Sequence, residues 1–309
     1  MDLPPSPSMA FIGAGRVAQA LAPALLQRGW AICAVASRST AAAQALAHSL
    51  SQCAATSPGA AAPPLACDPQ SAVDRADMVW LTVPDDAIAA LAARLRWRAG
   101  QAVVHCSGAT EVAALQAAAD AGAHTGGFHP LQIFSDPQRA AERLAGSSAT
   151  IEADEPLRTL LQRIAASLGL QPLTLPPGAR AAYHASCGYF ASFMLPLFAE
   201  ALQVWGRFGI DEAAALQALL PLARGTLDAV QARGLAGALS GPLSRGDSAV
   251  LQRQLAALGQ FGEPHRTFFR ELAQRQLPLA AASGRLSAEQ LARLQRVLTQ
   301  APQGPTDPT

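Results

Sequence analysis

The sequence contains no lysine, and all 23 of its basic residues are arginine. Chemistry that depends on a lysine amine is therefore excluded, including Schiff-base catalysis, the phosphate-binding lysine of a Walker motif and a lysine proton donor. The chain also lacks an excess of either charge, since 23 basic residues face 22 acidic ones and no basic block occurs. This balance argues against nucleic acid or an anionic membrane as a partner and leaves a small molecule as the expected ligand.

The five cysteines are odd in number, form no C-x-x-C pair and follow no secretory signal. This pattern predicts a cytoplasmic protein. The most apolar later stretch, Cys187 to Trp205, is interrupted by Pro196 and Glu200. We interpret that stretch as a buried helix and not as a membrane span.

A βαβ unit near the start of the chain organises the rest of the sequence. An apolar run, Met9 to Ile12, enters a glycine turn, a helical pattern continues to Gly29, and Ala31 to Ala36 is apolar again. The turn fits the pattern G-x-G-x-x-A, in which the first glycine permits the tight turn and the second lets the backbone approach a pyrophosphate. Because the pattern follows a strand and opens a helix, it predicts dinucleotide binding at the helix N-terminus.

The end of the second strand indicates which dinucleotide is bound. Proteins that bind NAD usually carry an acidic residue there for the ribose 2′-hydroxyl, whereas this chain has Ser37, Arg38 and Ser39. An arginine and two hydroxyls suit a 2′-phosphate, so we predict NADP(H); the alternative is that Arg38 is only a solvated turn residue. The predicted cofactor-binding residues are Gly13, Ala14, Gly15, Arg16, Val17, Ser37, Arg38, Ser39, Val83, Pro84 and Ser107.

The remaining patterns predict an α/β protein of two domains. Buried strands at Ala102 to Cys106 and His124 to Phe128 would end at the same sheet edge as the glycine turn. After Pro176 the strand signals stop, and helical segments follow, the first from Ala179 to Phe208. We predict a doubly wound Rossmann domain over residues 1–176 and an all-α domain over residues 177–309. Surface segments without regular structure are predicted at Ser51 to Pro64 and at Ala301 to Thr309.

Six motifs succeed one another in a familiar order. They are IGAGRVA (12–18), TVPDDAI (82–88), HCSGA (105–109), FHPLQIF (128–134), YHAS (183–186) and SGPLSRGD (240–247). Together they resemble a bacterial family described as a Rossmann-like domain followed by a helical domain of unknown function, DUF2520. The resemblance covers nearly the whole chain. It implies the fold of pyrroline-5-carboxylate reductases, ketopantoate reductases and β-hydroxyacid dehydrogenases, with NADP as cofactor and usually a homodimer formed through the helical domain.

The chain departs from these families at two positions. β-Hydroxyacid dehydrogenases carry a catalytic lysine on the first helix of the second domain, and this chain, which has no lysine, places His184 in that neighbourhood. Members of the DUF2520 family often carry an asparagine where this sequence has Ser192. The loops at Ser107 and at His129 also look like those of prephenate dehydrogenases, in which a serine and a histidine serve catalysis; the analogy is one of position only.

His129 is the leading candidate for proton transfer. It follows a glycine-rich strand at the ligand edge, precedes a proline, and is expected to titrate closest to neutral pH among the side chains at the site. His184 is a second catalytic candidate, with a structural role as the alternative, and Ser107 would orient the reacting group. The other histidines fit structural or solvated positions, with His105 as a satisfied core residue: they are His48, His105, His124 and His265.

Two residues of the SGPLSRGD motif are predicted to bind substrate. Arg245 lies in a loop bounded by glycines, and an arginine there could hold a substrate carboxylate. Asp247 precedes a helical run and could instead be only the N-cap of that helix. No metal is predicted, because the cysteine and histidine residues near the expected site lack metal-ligand spacing.

These features favour an NADP(H)-dependent oxidoreductase that transfers a hydride to or from a small carbonyl, hydroxy-acid or imine substrate bound between the two domains. The alternative is a non-catalytic NADP-binding regulatory or accessory subunit, which would need the glycine turn but not the second set of polar residues. The helix predicted from Ala179 to Phe208 carries more large apolar side chains than one buried stripe needs. That excess predicts a homodimer built on this helix.

Overall fold

The computed structural model describes residues 3–55 and 62–299. Within it the chain forms two compact units, which divide between Ala191 and Ser192. The predicted boundary after Pro176 falls where the strands end, but the next helix belongs to the first unit. The predicted tail from Ala301 lies outside the described residues, as do residues 56–61 of the predicted surface loop, whereas residues 51–55 continue a helix.

The first unit is an eight-stranded sheet with helices on both faces, and it confirms the predicted α/β Rossmann class. The strands are β1 (Met9–Ile12), β2 (Ile32–Ala36), β3 (Leu65–Ala66), β4 (Met78–Leu81), β5 (Ala102–His105), β6 (His124–Pro130), β7 (Ser148–Ala153) and β8 (Gln171–Thr174). The helices are α1 (Arg16–Gln27), α2 (Thr40–Ala55), α3 (Pro69–Arg75), α4 (Asp85–Arg94), α5 (Gln116–Asp120), α6 (Pro137–Glu142), α7 (Leu157–Ser167) and α8 (Arg180–Ala191).

The strand order in the sheet is β3-β2-β1-β4-β5-β6-β7-β8. Strands β2 and β3 are added on one side of β1 and β4 to β8 on the other, so the topological switch point lies between β1 and β4. Every pair of neighbouring strands is parallel except β6 with β7, which is antiparallel. The carboxyl ends of β1, β4, β5 and β6 therefore meet at one edge of the sheet, where ligands bind in doubly wound folds. Since His105 is paired with Gly127, Ser107 and His129 lie at the same level just beyond that pair.

An aromatic group in the middle of the sheet fixes the relation of its strands. Trp80 of β4 is wholly buried, stacks on Phe11 of β1 with ring centroids 5.9 Å apart, and meets Phe128 of β6 edge to face at 5.3 Å. Burial of these three large rings contributes several kcal/mol each, roughly, in removal of apolar surface from water. This packing supports the strand end that carries His129.

The second unit is all-helical. Its helices are α9 (Met194–Gly206), α10 (Glu212–Ala238), α11 (Gly241–Arg245), α12 (Ser248–Gly259), α13 (Glu263–Ala282) and α14 (Ala288–Thr299). The buried residues of its core come from α11 to α14 and are Leu243, Leu251, Leu255, Ala273, Leu294 and Leu298. Helix α10 bends at Gly234, which has φ of +67°.

The single helix predicted from Ala179 to Phe208 is instead two helices, α8 and α9, separated by Ser192 and Phe193. Pro196 explains the break, because a proline has no N–H to donate to the carbonyl four residues earlier and its ring clashes with that carbonyl. The carbonyl in question is that of Ser192. The first unit thus ends at the helix break that Pro196 explains.

The stretch Arg180–Gly206 is long and apolar enough to cross a membrane. Within one chain, no residue of its most apolar 18-residue segment is buried. Helix α9 has no buried residue at all, although the sequence predicts a buried helix. Large apolar side chains on α8 and α9 are exposed, including Phe190 at 72% and Leu195 at 67%. Two helices therefore present apolar surface that the single chain leaves uncovered.

Candidate active site

The glycine turn after β1 is tied to the neighbouring strands. Gly13 has φ of +114°, donates its N–H to the carbonyl of Ala36 at 2.8 Å, and accepts from the Thr82 hydroxyl at 2.8 Å. A Cβ at Gly13 would overlap the carbonyl of Thr82. Only glycine fits here, because both the backbone conformation and the close approach exclude a side chain.

The start of α1 fits a pyrophosphate. Gly15 is the N-cap, no side chain caps the helix, and the first turn contains no acidic residue. The nearest atom to a Cβ placed on Gly15 would be 4.0 Å away, so one side of the turn is open. The N–H groups of the first turn and the positive end of the helix dipole therefore suit a phosphate, and the roles of Ala14, Arg16 and Val17 in cofactor binding stay predictions.

The residues predicted to select the 2′-phosphate lie at the same edge. Arg38 is exposed beyond the end of β2, and its guanidinium forms no ion pair within residues 3–55 and 62–299. Ser39 accepts a hydrogen bond from the backbone N–H of Ala42 at 3.2 Å and so caps α2. Val83 and Pro84 follow β4, where Pro84 is the N-cap of α4. The arrangement fits NADP, with Arg38 as the available cation.

The three predicted catalytic residues come together in the first unit. The rings of His129 and His184 meet edge to face, with centroids 5.7 Å apart. A Cβ on Gly108 would be 2.5 Å from Cδ2 of His184 and 2.9 Å from Nε2 of His129, so both rings lie directly against the residue after Ser107. Glycine at position 108 is what lets two imidazoles approach this loop.

The hydroxyl of Ser107 is used within its own loop. It accepts hydrogen bonds from the backbone N–H groups of Ala109 and Thr110 and donates to the Thr110 hydroxyl at 2.9 Å. Such a side-chain turn fixes the loop that follows β5. Ser107 is 7% exposed, and its predicted role in orienting a reacting group stays a prediction.

Tyr183 belongs to this cluster, although the sequence patterns do not predict it as a site residue. Its hydroxyl lies 3.1 Å from Nδ1 of His129, and the two rings are 5.8 Å apart and nearly perpendicular. The sequence holds one signal, because Tyr183 directly precedes His184 at the start of a helix. The helical pattern does not predict which strand this helix packs against, because that depends on the tertiary structure.

Arg180 is a second residue that the sequence patterns miss, and it is wholly buried. Its guanidinium donates to the carbonyl of Ser107 at 2.8 Å and forms an ion pair with Glu152 at 2.5 Å. Glu111 in turn accepts backbone N–H bonds from Gly178 and Arg180, at 3.2 and 3.1 Å. The loop after β5 and the start of α8 are therefore joined twice, once through the Arg180 guanidinium and once through the Glu111 carboxylate.

The electrostatics of the cluster lower the pKa values of His129 and of the neighbouring His105. Burial, together with the charges of His184 and Arg180, lowers the pKa of His129 to about 4. Burial and Arg180 lower the pKa of His105 to about 3, and burial raises the pKa of Tyr183 to about 12. The expectation that His129 titrates closest to neutral pH takes no account of burial and a neighbouring guanidinium, which hold the pKa of His129 well below neutral.

His105 is buried in the core of the first unit, as predicted. Neither of its ring nitrogens has a hydrogen-bond partner in the part of the chain that the structure describes, so the expectation of a satisfied histidine is not met. No group of three His, Cys, Asp or Glu residues that could hold a metal ion occurs among the described residues.

The two predicted substrate-binding residues belong to the second unit. Asp247 accepts from the N–H of Val250 at 3.0 Å and caps α12, which is the structural alternative predicted for it. Arg245 ends α11, is exposed, and is followed by Gly246 with φ of +73°. Its role as a substrate clamp stays a prediction.

The fold and the site define a class of protein: a Rossmann-like α/β unit, with a histidine and tyrosine cluster at the carboxyl edge of its strands, followed by an all-helical region. Residues 8–108 match the family described as NADP oxidoreductase, coenzyme F420-dependent, and residues 147–276 match the domain of unknown function DUF2520. The chain combines these two family domains, which confirms the resemblance inferred from its motifs. No curated protein sequence matches the chain.

Solved structures with this fold include several reductases. A protein from Thermotoga maritima, TM1727, is 21% identical over 90% of this chain and 100% of that one, with a TM-score of 0.71. A 1-pyrroline-5-carboxylate reductase from Streptococcus pyogenes is 15% identical over 96% and 100%, with a TM-score of 0.58. A reductive aminase from Aspergillus terreus, solved with NADPH and ethyl levulinate, is 15% identical over 95% and 92%, with a TM-score of 0.55. The chain therefore shares the fold of these proteins over nearly its whole length.

Proposed function

We propose that the protein is an NADP(H)-dependent oxidoreductase that transfers a hydride to or from a small carbonyl, hydroxy-acid or imine substrate. The observation that carries the proposal is the cluster of His129, His184 and Tyr183 at the sheet edge where the glycine turn also lies. A non-catalytic NADP-binding subunit would not need this second set of polar side chains. Bound NADPH would supply the hydride, and the protein would supply the proton and the orientation.

The residues divide the work by position. Gly15, the first turn of α1 and Arg38 would hold the cofactor phosphates. His129 would exchange a proton with the substrate oxygen or nitrogen. In the direction of oxidation its neutral ring suits this role, because a neutral imidazole accepts the proton that the substrate hydroxyl loses. Arg245 would bind a substrate anion. We place the protein in the cytoplasm, because its cysteines are odd in number and form no C-x-x-C pair.

We further propose a homodimer formed through the helical region. The support is the set of large apolar side chains on α9, which includes Leu195 and Leu197 and which one chain leaves exposed. Large apolar side chains exposed in such number mark interaction sites.

The function is tested by screening oxo acids, simple ketones and cyclic imines for oxidation of NADPH. We expect at least one class to be reduced, and we expect His129→Ala to lower turnover by roughly 10²–10⁴-fold while the Kd for NADPH hardly changes. His184→Ala should act mainly through the KM of the substrate. Binding of NADPH without reduction of any compound would favour the non-catalytic alternative. Full turnover in His129→Ala with none in His184→Ala would reverse the two roles.

A further inference from the structure

The contact between His129 and Tyr183 joins a strand to a helix at the site. His129 lies in β6 and Tyr183 in α8, and the distance from Nδ1 to the phenol oxygen is 3.1 Å. The phenol is held in place from one turn earlier on the helix, where the buried Arg180 is anchored to Ser107 and Glu152. The pair therefore joins two elements that the contacts of Arg180 also link.

The direction of this hydrogen bond depends on the protonation of its partners. Because the pKa of the phenol is raised to about 12 and that of the imidazole lowered to about 4, both groups are neutral at pH 7. A neutral imidazole has one N–H and one lone pair, so either the phenol donates to Nδ1 or Nδ1–H donates to the phenol. The relay proposed below requires the first of these, with the phenolic proton directed at Nδ1.

The other edge of the imidazole faces the loop after β5. Cε1 and Nε2 of His129 would each be 2.9 Å from a Cβ on Gly108. Within residues 3–55 and 62–299 no hydrogen bond to Nε2 is found. With the phenol on Nδ1, the ring proton is on Nε2, where it is available to a substrate heteroatom.

We propose that Tyr183 and His129 form a proton relay, in which His129 gives its Nε2 proton to the substrate and takes the phenolic proton of Tyr183 at Nδ1. The relay rests on the proposed function and specifies where its proton comes from. In this relay Tyr183 acts through His129 and is a positioning residue.

Reduction of a carbonyl through this relay balances in bonds and protons. The hydride of NADPH forms the new C–H bond, an O–H bond forms on the substrate oxygen, and the Nε2–H bond breaks. An N–H bond forms at Nδ1 and the phenolic O–H bond breaks. After the product leaves, the Nδ1 proton returns to the phenolate and Nε2 takes a proton from water, which restores the starting state. An alkoxide is a stronger base than a phenolate, so the transfer is favourable, and the nearby guanidinium of Arg180 stabilises the phenolate.

The relay and direct acid catalysis by a charged His129 differ in their dependence on pH. An imidazolium with a pKa of about 4 is present in roughly one molecule in a thousand at pH 7, and its rate would fall about tenfold for each further pH unit. A relay between neutral groups is independent of pH from about 6 to 9. The other titratable groups that act on this pair are His105 on β5 and Arg180, His184 and Cys187 on α8, while Glu152 on β7 is paired with Arg180.

The first experiment needs neither cofactor nor substrate. Long-range ¹H–¹⁵N NMR of the protein labelled at histidine, with His129 assigned through His129→Gln, reports which ring nitrogen carries the proton. We expect the Nε2–H form alone in the wild type and a mixture of tautomers in Tyr183→Phe. Tyr189→Phe is the matched control, because it changes the only other tyrosine of the chain, on the same helix, and should leave the spectrum unchanged. The Nδ1–H form in the wild type would overturn the relay.

The second experiment measures kcat against pH with a compound that the screen shows to be reduced. We expect a flat profile from pH 6 to 9 in the wild type and in Tyr189→Phe. In Tyr183→Phe we expect kcat at pH 8 to fall by about tenfold or more, with an unchanged KM for NADPH and a profile that now declines with pH. A declining profile in the wild type would overturn the relay while leaving the proposed function intact. A chain that reduces no compound would overturn the proposed function, and the NMR result would still show whether Tyr183 sets the tautomer.

Discussion

The guanidinium of Arg180 occupies the space that a side chain on Gly127 would need. A Cβ placed on Gly127 would overlap Nη2 of Arg180, and the guanidinium is wholly buried. A strand glycine has no side chain to pack and usually weakens a sheet. Here the glycine of β6 admits the cation of α8, so the two residues form one structural feature.

Gly127→Ala should therefore destabilise the protein. The added methyl group displaces the guanidinium from the Ser107 carbonyl and from Glu152, and overpacking of this kind costs about 1–3 kcal/mol. Urea unfolding followed by circular dichroism measures the change. Gly188→Ala is the control, since a Cβ at that position of α8 meets nothing within 4 Å and alanine favours a helix. Equal midpoints for Gly127→Ala and the wild type would show that Arg180 can move without cost.

The lowered pKa values of the buried histidines predict a loss of stability in mild acid. His105 and His129 have folded-state pKa values of about 3 and about 4, below the value of about 6.5 expected in the unfolded chain. Between pH 6.5 and 4 the unfolded state therefore binds more protons at these histidines than the folded state does. The free energy of unfolding is thus highest above pH 6.5 and decreases as the pH falls toward 4. For His129 alone the full loss is on the order of 3 kcal/mol.

Urea midpoints between pH 7.5 and 5 test this prediction in a range where carboxylates titrate little. We expect a steady fall in the wild type, a smaller fall in His129→Gln, and no change of slope in His48→Gln, which alters an exposed histidine. A pH-independent midpoint would mean that the buried histidines titrate normally.

The fold is predictable from the sequence because its signals are local. The alternation of apolar runs with helical patterns, and Gly13 in a strand-to-helix turn, are enough to predict the Rossmann sheet and the edge at which His129 lies. Pro196 also gives a local signal for the break between α8 and α9, but the apolar residues on both sides of it favour one continuous helix, which is the wrong prediction.

The parts of the site that the sequence does not predict are those that depend on packing. Arg180 has the sequence appearance of a first-turn helix residue, and only the tertiary structure shows that its charge is buried beside Gly127. The same burial lowers the pKa of His129, which composition and spacing cannot report. Tyr183 escapes prediction for a similar reason, because a helical pattern does not say which strand end a side chain will meet.

Cofactor preference should depend on Arg38. With no acidic residue at the end of β2 to bind a ribose hydroxyl, NADPH should bind more tightly than NADH. Arg38→Ala should weaken NADPH binding by about 1.5–3 kcal/mol, the range for a hydrogen bond to a charged group, and leave NADH binding nearly unchanged. Isothermal titration calorimetry measures both. Arg28→Ala, which removes an exposed arginine at the other end of α1, should alter neither, and equal affinity of the wild type for the two cofactors would contradict the assignment.

The last prediction concerns assembly through the helical region. Leu195 of α9 and Leu222 of α10 are 67% and 66% exposed in the single chain, which is unusual for large apolar side chains in such number. If a second copy covers them, light scattering at micromolar concentration should give twice the chain mass of 31.9 kDa. Leu195→Glu and Leu222→Glu each place a charge in the proposed interface and should shift the protein toward monomer. Gln203→Glu adds the same charge to an exposed polar position of α9 and should leave the mass unchanged. A wild-type protein that is a monodisperse monomer would show that these side chains face water, and the homodimer would have to be abandoned.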